Sequence, residues 1–174
     1  MIDVREYKAN ETLKGGSAVI VRAIRSDDKA NILKGIGLFS GDSLYKRFHG
    51  AKSGVTDQEL KFYTEIDYIN HVALMAVLKN TDQTIGGGRF IVFDKSLSSL
   101  SAELSFAVAD NFQGLGLATV IIKHLVYIAR EIEIKTFVAH VLRDNIAMIR
   151  VFEKTGLPIS KIHQDGNIFV TLTL

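Results

Sequence analysis

The 174-residue chain contains no cysteine, no tryptophan and a single proline, Pro158. Without cysteine, the protein cannot form disulfide bonds, thiolate metal sites or a cysteine nucleophile. Five histidines are present, but no His-x₃-His pair or histidine–carboxylate cluster has the spacing of a metal site. We therefore expect chemistry that uses no bound metal.

Charge of one sign and long apolar runs are also scarce. The net charge is only +2 and no block of Lys or Arg stands out, so we expect no nucleic acid partner. No apolar run approaches the ~18 residues of a membrane span, and no signal peptide follows Met1. Because an absence of cysteine suits a reducing compartment, we predict a cytoplasmic protein without membrane contact. Whether it is a monomer or a homodimer is left open.

The apolar pattern predicts one domain over residues 18–174, preceded by an N-terminal arm or extra strand at residues 1–17. Strands are predicted at residues 18–24, 71–78, 84–93, 102–109, 136–142, 159–163 and 167–172. A polar turn is predicted at residues 95–101. Inside the strand 84–93, three consecutive glycines at residues 86–88 indicate a bulge or a close backbone approach.

Three helical stretches are predicted between the first two strands. Residues 26–28 resemble an N-cap with acids in the first turn. A short helix follows at residues 43–49, and a capping box formed by Thr56 and Glu59 begins another. The insert at residues 41–68 forms either one wall of a ligand cleft or a surface excursion.

The stretch Gln113–Ala118 joins the strand 102–109 to a helix predicted at residues 115–131. The first turn of a helix has backbone N–H groups without internal partners, and the helix dipole makes that end positive. Such a junction is either an ordinary turn that uses glycine for its geometry or a site for phosphate oxygens.

Two separated motifs resemble the acyl-CoA-binding core of the GNAT superfamily of N-acetyltransferases. One is the Gln-x-x-Gly-x-Ala pattern of Gln113, Gly116 and Ala118, and the other is the helical stretch Asn145–Gly156. A narrower resemblance, to the acetyltransferase domain of bacterial Pat-type protein lysine acetyltransferases, is carried by residues 22–28, 43–48, 66–68, 73–77 and 102–103.

The resemblance implies an α/β (α+β) fold with a mixed, mostly antiparallel sheet of about seven strands and about four helices. One parallel strand pair is expected at the acyl-CoA groove. Acetyl-CoA is the implied co-substrate, with no metal. The implied cofactor-binding residues are Phe106, Ala107, Val108, Gln113, Gly114, Leu115, Gly116, Leu117, Ala118, Thr119, Asn145 and Phe152.

Glu103 is the implied catalytic residue, a general base that takes a proton from the amine. Without the resemblance it reads as a solvated strand acid, and Asn145 as a helix N-cap. Many GNAT enzymes have a tyrosine acid where this chain has Phe152. A thiolate leaving group, whose thiol has a pKa of ~8.5, does not require that acid.

The acceptor implied by the Pat-type resemblance is a protein lysine, possibly on an acyl-CoA-synthetase-like enzyme. A small amine or amino acid is the alternative acceptor, and a different acyl group such as succinyl stays open. A non-catalytic acyl-CoA-binding regulatory domain is a further alternative. Members of the narrower family often have a fused regulatory module, for which this chain has no room, so regulation by such a module is not expected.

Overall fold

A computed structural model describes residues 2–52, 54–94 and 100–174. Within them lie the strands β1 (Lys8–Thr12), β2 (Ala18–Ala23), β3 (His71–Leu78), β4 (Thr84–Asp94), β5 (Ser101–Val108), β6 (Thr136–Leu142), β7 (Ile159–Gln164) and β8 (Asn167–Thr173). They form one sheet in the order β1-β2-β3-β4-β5-β6-β8-β7. Among the strands of these residues, only β5 and β6 run parallel. The mixed, mostly antiparallel sheet with one parallel pair is confirmed.

The helices of the described residues are α1 (Lys29–Ile36), α2 (Gly41–Phe48), α3 (Asp57–Thr64), α4 (Leu117–Glu131) and α5 (Ile146–Glu153). The sheet thus has eight strands and the described part of the chain five α-helices, compared with the about seven strands and about four helices that the resemblance implies. In these residues no helix is both long and apolar enough to cross a membrane. Residues 95–99 of the predicted polar turn lie outside the described residues.

The additional strand is β1, which pairs with β2 from Lys8↔Arg22 to Thr12↔Ala18. Just before β1, the Tyr7 hydroxyl lies 2.6 Å from Nδ1 of His124 on α4, and Nε2 of His124 lies 2.9 Å from Glu11. Just after β1, the backbone N–H of Lys14 donates to the carbonyl of Leu115. The first segment is therefore attached both to the sheet and to the predicted glycine turn.

Two layers cover the sheet. The larger core lies between the sheet and the helices α4 and α5, and its fully buried members include Phe90, Ile121 and Phe137. A smaller cluster of Ile24, Ala73 and Met75, with Ile32 of α1 packed against it, covers the opposite face. Because strand side chains alternate between faces, β3 contributes to both layers, with Val72 and Leu74 in the larger core and Ala73 and Met75 in the smaller cluster.

The start of α1 differs from the prediction. Asp28 occupies the N-cap position, but its side chain does not cap the helix, and the first turn contains no acid. The buried carboxylate instead accepts two hydrogen bonds of 2.7 Å from Arg22 and one of 2.8 Å from the backbone N–H of Arg25. A charged group that is buried needs such partners. The Asp28 carboxylate therefore binds Arg22 and not the free backbone N–H groups at the start of α1. The Thr56–Glu59 capping box of α3 is confirmed.

The three glycines of β4 mark a close approach of neighbouring groups. A Cβ atom on Gly88 would lie 2.7 Å from Cγ2 of Ile121 and 3.0 Å from both Leu125 and Phe106. The absence of a side chain at this position allows α4 to pack directly on the sheet. This packing brings the start of α4 next to the end of β5.

We expect Gly88→Ala to lower the free energy of unfolding by about 1–3 kcal/mol, because an added methyl group overpacks the core. Gly41→Ala is the matched control, since a Cβ there meets no atom within 4 Å, and we expect a change within about 0.5 kcal/mol. Urea unfolding followed by circular dichroism measures both. Equal stabilities of the two variants would show that α4 can move aside without loss.

Candidate active site

The parallel strands β5 and β6 pair only at their beginnings, over residues 101–103 and 136–138. Beyond Glu103, β5 remains paired with β4 as far as Val108, and β6 remains paired with β8 as far as Leu142. The two strands therefore diverge and leave a gap inside the sheet. Backbone groups along this edge of β5 can pair with an extended ligand in the manner of an added strand.

A cleft of about 810 Å³ lies at this gap. The structure brings all twelve residues that were predicted to bind the cofactor to its lining: Phe106, Ala107, Val108, Gln113, Gly114, Leu115, Gly116, Leu117, Ala118, Thr119, Asn145 and Phe152. Their contacts with a cofactor stay a prediction. Among the described residues, no group of three or more His, Asp or Glu side chains is placed to hold a metal ion.

Basic side chains of the cleft were not found from the sequence. Lys14, Lys46, Arg150 and Lys154 all line it, and they come from separate parts of the chain. The spacing of four residues between Arg150 and Lys154 is the one local signal, because it places both on the same side of a helix. Lys46 is paired with Asp42, which also lines the cleft, but Lys14, Arg150 and Lys154 leave it with the positive sign expected for a polyanionic ligand.

The glycine turn has the backbone geometry that its sequence requires. Gly114 and Gly116 have φ angles of +75° and +89°, in the left-handed region that side chains disfavour. Helix α4 begins at Leu117, two residues later than predicted, and Gly116 provides no side chain to cap it. Its first turn contains no acid, so its N–H groups are suited to bind an anion.

Gln113 connects this turn to two other elements. Its side-chain Nε2 donates to Ser43 Oγ of α2 and to the Val108 carbonyl at the end of β5, each at 3.2 Å. The helical insert, the strand edge and the glycine turn thus meet at one side chain. These contacts hold the start of the glycine turn against α2 and β5.

Asn145 and Phe152 both have structural roles in helix α5. The Asn145 side chain accepts a hydrogen bond of 3.3 Å from the Met148 backbone N–H and so caps α5. Phe152 is 1% exposed and packs edge-to-face on Phe106, with ring centroids 5.6 Å apart. The Phe152 ring therefore fixes α5 against β5 and presents almost no surface of its own.

Glu103 lies outside the lining of the cleft. It is the last residue of β5 that is paired on both sides, with Ile91 of β4 and Val138 of β6, so it marks the point where the gap begins. Its side chain is exposed and shares a face with Ser105, away from the buried Leu104 and Phe106.

Residues 42–157 match the Acetyltransferase (GNAT) family. The chain belongs to this family. The superfamily predicted from the sequence is therefore confirmed, and with it acetyl-CoA as the co-substrate that the family uses.

Several individual GNAT proteins are similar to this chain. Acetyltransferase Pat of Mycolicibacterium smegmatis is 27% identical over 144 residues, which are 83% of this chain and 42% of that protein. The chain thus spans less than half the length of this curated relative. The GNAT domain of S. lividans PAT is 27% identical with a TM-score of 0.89, covering 96% of this chain and 97% of the domain.

A more distant structure shares the fold. The Salmonella typhimurium protein yncA, whose structure contains acetyl-CoA, has a TM-score of 0.69 at 20% identity, covering 90% of this chain and 94% of that one. At this identity the likeness concerns the fold alone. The GNAT fold predicted from the sequence is thereby supported across most of the chain.

On the face of the sheet that carries Glu103, two arginines lie beneath the helical insert of this GNAT domain. Arg47 of α2 donates to Ser105 Oγ at 3.1 Å, and Arg89 of β4 is opposite Ser105 in the sheet register. The guanidinium carbon of Arg89 lies 4.5 Å from the ring centroid of Tyr63. Sequence reasoning placed Arg47 in the insert but assigned nothing to Arg89.

His71 positions Arg89 and must be neutral to do so. Arg89 Nη1 lies 3.0 Å from His71 Nε2, and arginine can only donate. Nε2 therefore accepts, which places the ring proton on Nδ1. Burial, and after it the charge of Arg89, lowers the pKa of His71 from 6.5 to about 4, in agreement with this assignment.

The pKa of His71 predicts a loss of stability in mild acid. Since the histidine is harder to protonate in the folded protein, the unfolded chain binds more protons between pH 6.5 and about 4, and stability falls as the pH falls through this window. We expect His71 to contribute about 1–2 kcal/mol of the loss between pH 7 and pH 5. Urea unfolding at both pH values should show a smaller loss for His71→Gln; an equal loss would contradict a neutral His71.

The glycine turn predicts a specific loss of coenzyme A binding. Gly116→Ala places a side chain at a positive φ angle beside the N–H groups of α4, so we expect coenzyme A to bind about tenfold more weakly or worse. Gly166→Ala is the matched control, because Gly166 has φ +76°, no atom within 4 Å of its Cβ and a position in the β7–β8 hairpin. Calorimetric titration should find unchanged binding in the control. Similar losses in both variants would trace the effect to backbone strain alone.

Proposed function

We propose that this GNAT domain transfers acetyl from acetyl-CoA to the amine of a protein lysine, with Glu103 as general base. The observation that carries the proposal is the position of Glu103 at the point where β5 and β6 separate. The lining of the cleft begins at the next residue of β5, Leu104, and extends to the glycine turn. One strand, β5, thus connects a candidate base to a candidate phosphate site.

The cleft suits coenzyme A in shape and chemistry. Backbone N–H groups from Leu115 to Ala118 would hold the pyrophosphate at the start of α4. The unpaired edge of β5 along residues 106–108 would pair with the pantetheine amides. Bound there, acetyl-CoA supplies an activated acetyl group. A backbone N–H near Val108 would stabilise negative charge at the thioester oxygen.

Glu103 would remove the proton that prevents attack by the amine. A lysine side chain has a reference pKa of ~10.4 and is mostly protonated at neutral pH, whereas the attacking species is the neutral amine. A carboxylate can accept the proton directly or through one water molecule. The exposed position of Glu103 is accessible to a long side chain on another protein.

Phe152 has no proton to donate to the thiolate. Because an alkyl thiol has a pKa of ~8.5, its thiolate is a tolerable leaving group without an acid. The burial of Phe152 against Phe106 supports a purely structural role. Phe152 is therefore not a catalytic acid, and its presence in place of a tyrosine does not imply a loss of activity.

A protein lysine is the acceptor favoured by the Pat-type resemblance and by the accessibility of Glu103. A small amine or amino acid remains the alternative acceptor of the same reaction. A non-catalytic acyl-CoA-binding domain predicts acetyl-CoA binding with no release of coenzyme A. Incubation with an AMP-forming acyl-CoA synthetase, a set of small amines and no acceptor separates the three possibilities.

We expect Glu103→Gln to lower turnover about 10²–10⁴-fold, since it removes the base, while acetyl-CoA affinity changes little. Glu131→Gln is the matched control, because Glu131 is also exposed but ends α4, which packs on the opposite face of the sheet from Glu103. Coenzyme A release measures turnover with an accepted substrate, and calorimetry measures affinity. Unchanged turnover in Glu103→Gln would exclude Glu103 as the base.

A further inference from the structure

Arg47 and Arg89 form a pair of guanidinium groups next to the proposed transfer site. Arg47 donates to Ser105, whose register partner on β4 is Arg89, and both arginines line one small cavity. Ser105 lies two residues from Glu103 on the same face of β5. The arginine pair is therefore adjacent to the candidate base.

Neither guanidinium has a carboxylate within ion-pair distance among the residues that the structure describes. The neighbouring lysines of the insert differ in this respect, because Lys46 pairs with Asp42 and Lys52 with Glu59. Arg47 has a serine hydroxyl and the ring of Phe48 as partners, and Arg89 has His71 and two aromatic rings. Within the described residues, no ion pair neutralises this positive charge, although the charge of Glu103 acts on Arg47 from a greater distance.

The surroundings make this charge costly to leave without an anion. Both arginines are half-buried, and burial lowers the pKa of each. The charge of Arg47 lowers the pKa of Arg89 further, whereas Tyr63 and Glu103 act in the opposite direction on Arg47. Two cations that are close together in a partly dehydrated site favour binding of an anion.

A small cavity gives an anion access to both groups. A space of about 110 Å³ beneath the insert is lined by Arg47 and Arg89, and otherwise largely by apolar side chains such as Phe39 and Met75. It shares Phe39, Arg47 and residues 105–107 of β5 with the large cleft. Since a water molecule takes up about 30 Å³ of liquid, the cavity holds only a group of a few heavy atoms.

We propose that Arg47 and Arg89 together bind a carboxylate of the substrate, immediately beside the position of acyl transfer. The planar guanidinium fork matches a carboxylate, and its hydrogen bonds to a charged acceptor are the strong kind. The aromatic rings of Phe48 and Tyr63 hold the forks in place. This inference rests on the proposed acyl transfer at the cleft and changes its substrates, because it favours an amino acid acceptor over a protein lysine, or a dicarboxylic acyl group over acetyl.

The carboxylate can come from either side of the reaction. An amino acid acceptor carries one near its amine, and a dicarboxylic acyl-CoA such as succinyl-CoA carries one at the far end of its acyl group. For each source there is a comparison compound that lacks the carboxylate and is otherwise the same or nearly the same. The matched pairs are L-lysine with 1,5-diaminopentane, and succinyl-CoA with butyryl-CoA.

Calorimetry tests both sources without requiring turnover. The protein is titrated with each acyl-CoA, and the coenzyme A-saturated protein with each amine. We expect the carboxylate-bearing member of one pair to bind about 10–100-fold more tightly, in line with charged hydrogen bonds. Arg47→Gln and Arg89→Gln should each remove most of this preference, and Arg47→Lys should retain part of it because the charge remains without the fork.

The control variant is Arg130→Gln, because Arg130 is exposed in the last turn of α4, outside both cavities; it should keep the full preference. Thermal unfolding establishes that each variant is folded before titration. A preference that is absent from both pairs in the wild-type protein, or that survives both Arg→Gln changes, overturns the carboxylate site. The titrations measure binding and not turnover. A protein that binds these ligands but transfers no acyl group would therefore contradict the proposed function without contradicting the carboxylate site.

Discussion

The divergence of β5 from β6 is the constraint on which the rest of the structure depends. A strand edge without partners inside a sheet leaves backbone N–H and C=O groups unpaired, which folded proteins generally avoid. The gap cannot close by a one-residue slide of β5, because such a slide would turn Leu104 and Phe106 from the α4 core to the opposite face. The outer edges of both strands are also held, β5 by β4 and β6 by β8. The packing of the core therefore keeps the backbone groups of the gap available to a ligand.

Because side chains alternate along β5, one face of this strand packs in the core and the other face carries residues of the candidate site. Its inward residues join the core beneath α4, where the lack of a side chain at Gly88 permits close packing, and this packing fixes the start of α4 at the end of the cleft. Its outward residues, Glu103 and Ser105, face the arginines of the other layer. Gln113 couples the layers, since it bonds both to Ser43 of α2 and to Val108 at the end of β5. A movement of the helical insert would thus be transmitted to the glycine turn by the side chain of Gln113.

Local patterns were sufficient to predict most strands, the glycine turn and the α3 capping box, because each depends on residues that are close in sequence. Strand β1 has the mixed sequence Lys-Ala-Asn-Glu-Thr, which does not distinguish a strand from an irregular arm. It is a strand because it pairs with β2. The binding of Asp28 by Arg22 could not be anticipated either, since a free carboxylate at that position would be expected to cap α1. The pairings of Arg89 with His71 and of Arg47 with Ser105 join residues 18 and 58 positions apart. The first contact depends on the register of β3 with β4 and the second on the packing of α2 against β5, and neither has a signature in sequence spacing.

The two halves of the candidate site differ in how they depend on sequence. The proposed donor half would use backbone N–H groups at a helix start and along a strand edge, so it would need glycines and the correct topology but tolerate other side chains. A TM-score of 0.89 at 27% identity to the S. lividans PAT domain is consistent with that tolerance. The proposed acceptor half consists of side chains on α2, α3, β4 and β5, whose identities can change without disturbing the fold. Shared architecture therefore argues strongly for the common donor and weakly for a common acceptor, and the acceptor has to be inferred from Glu103, Arg47 and Arg89 themselves.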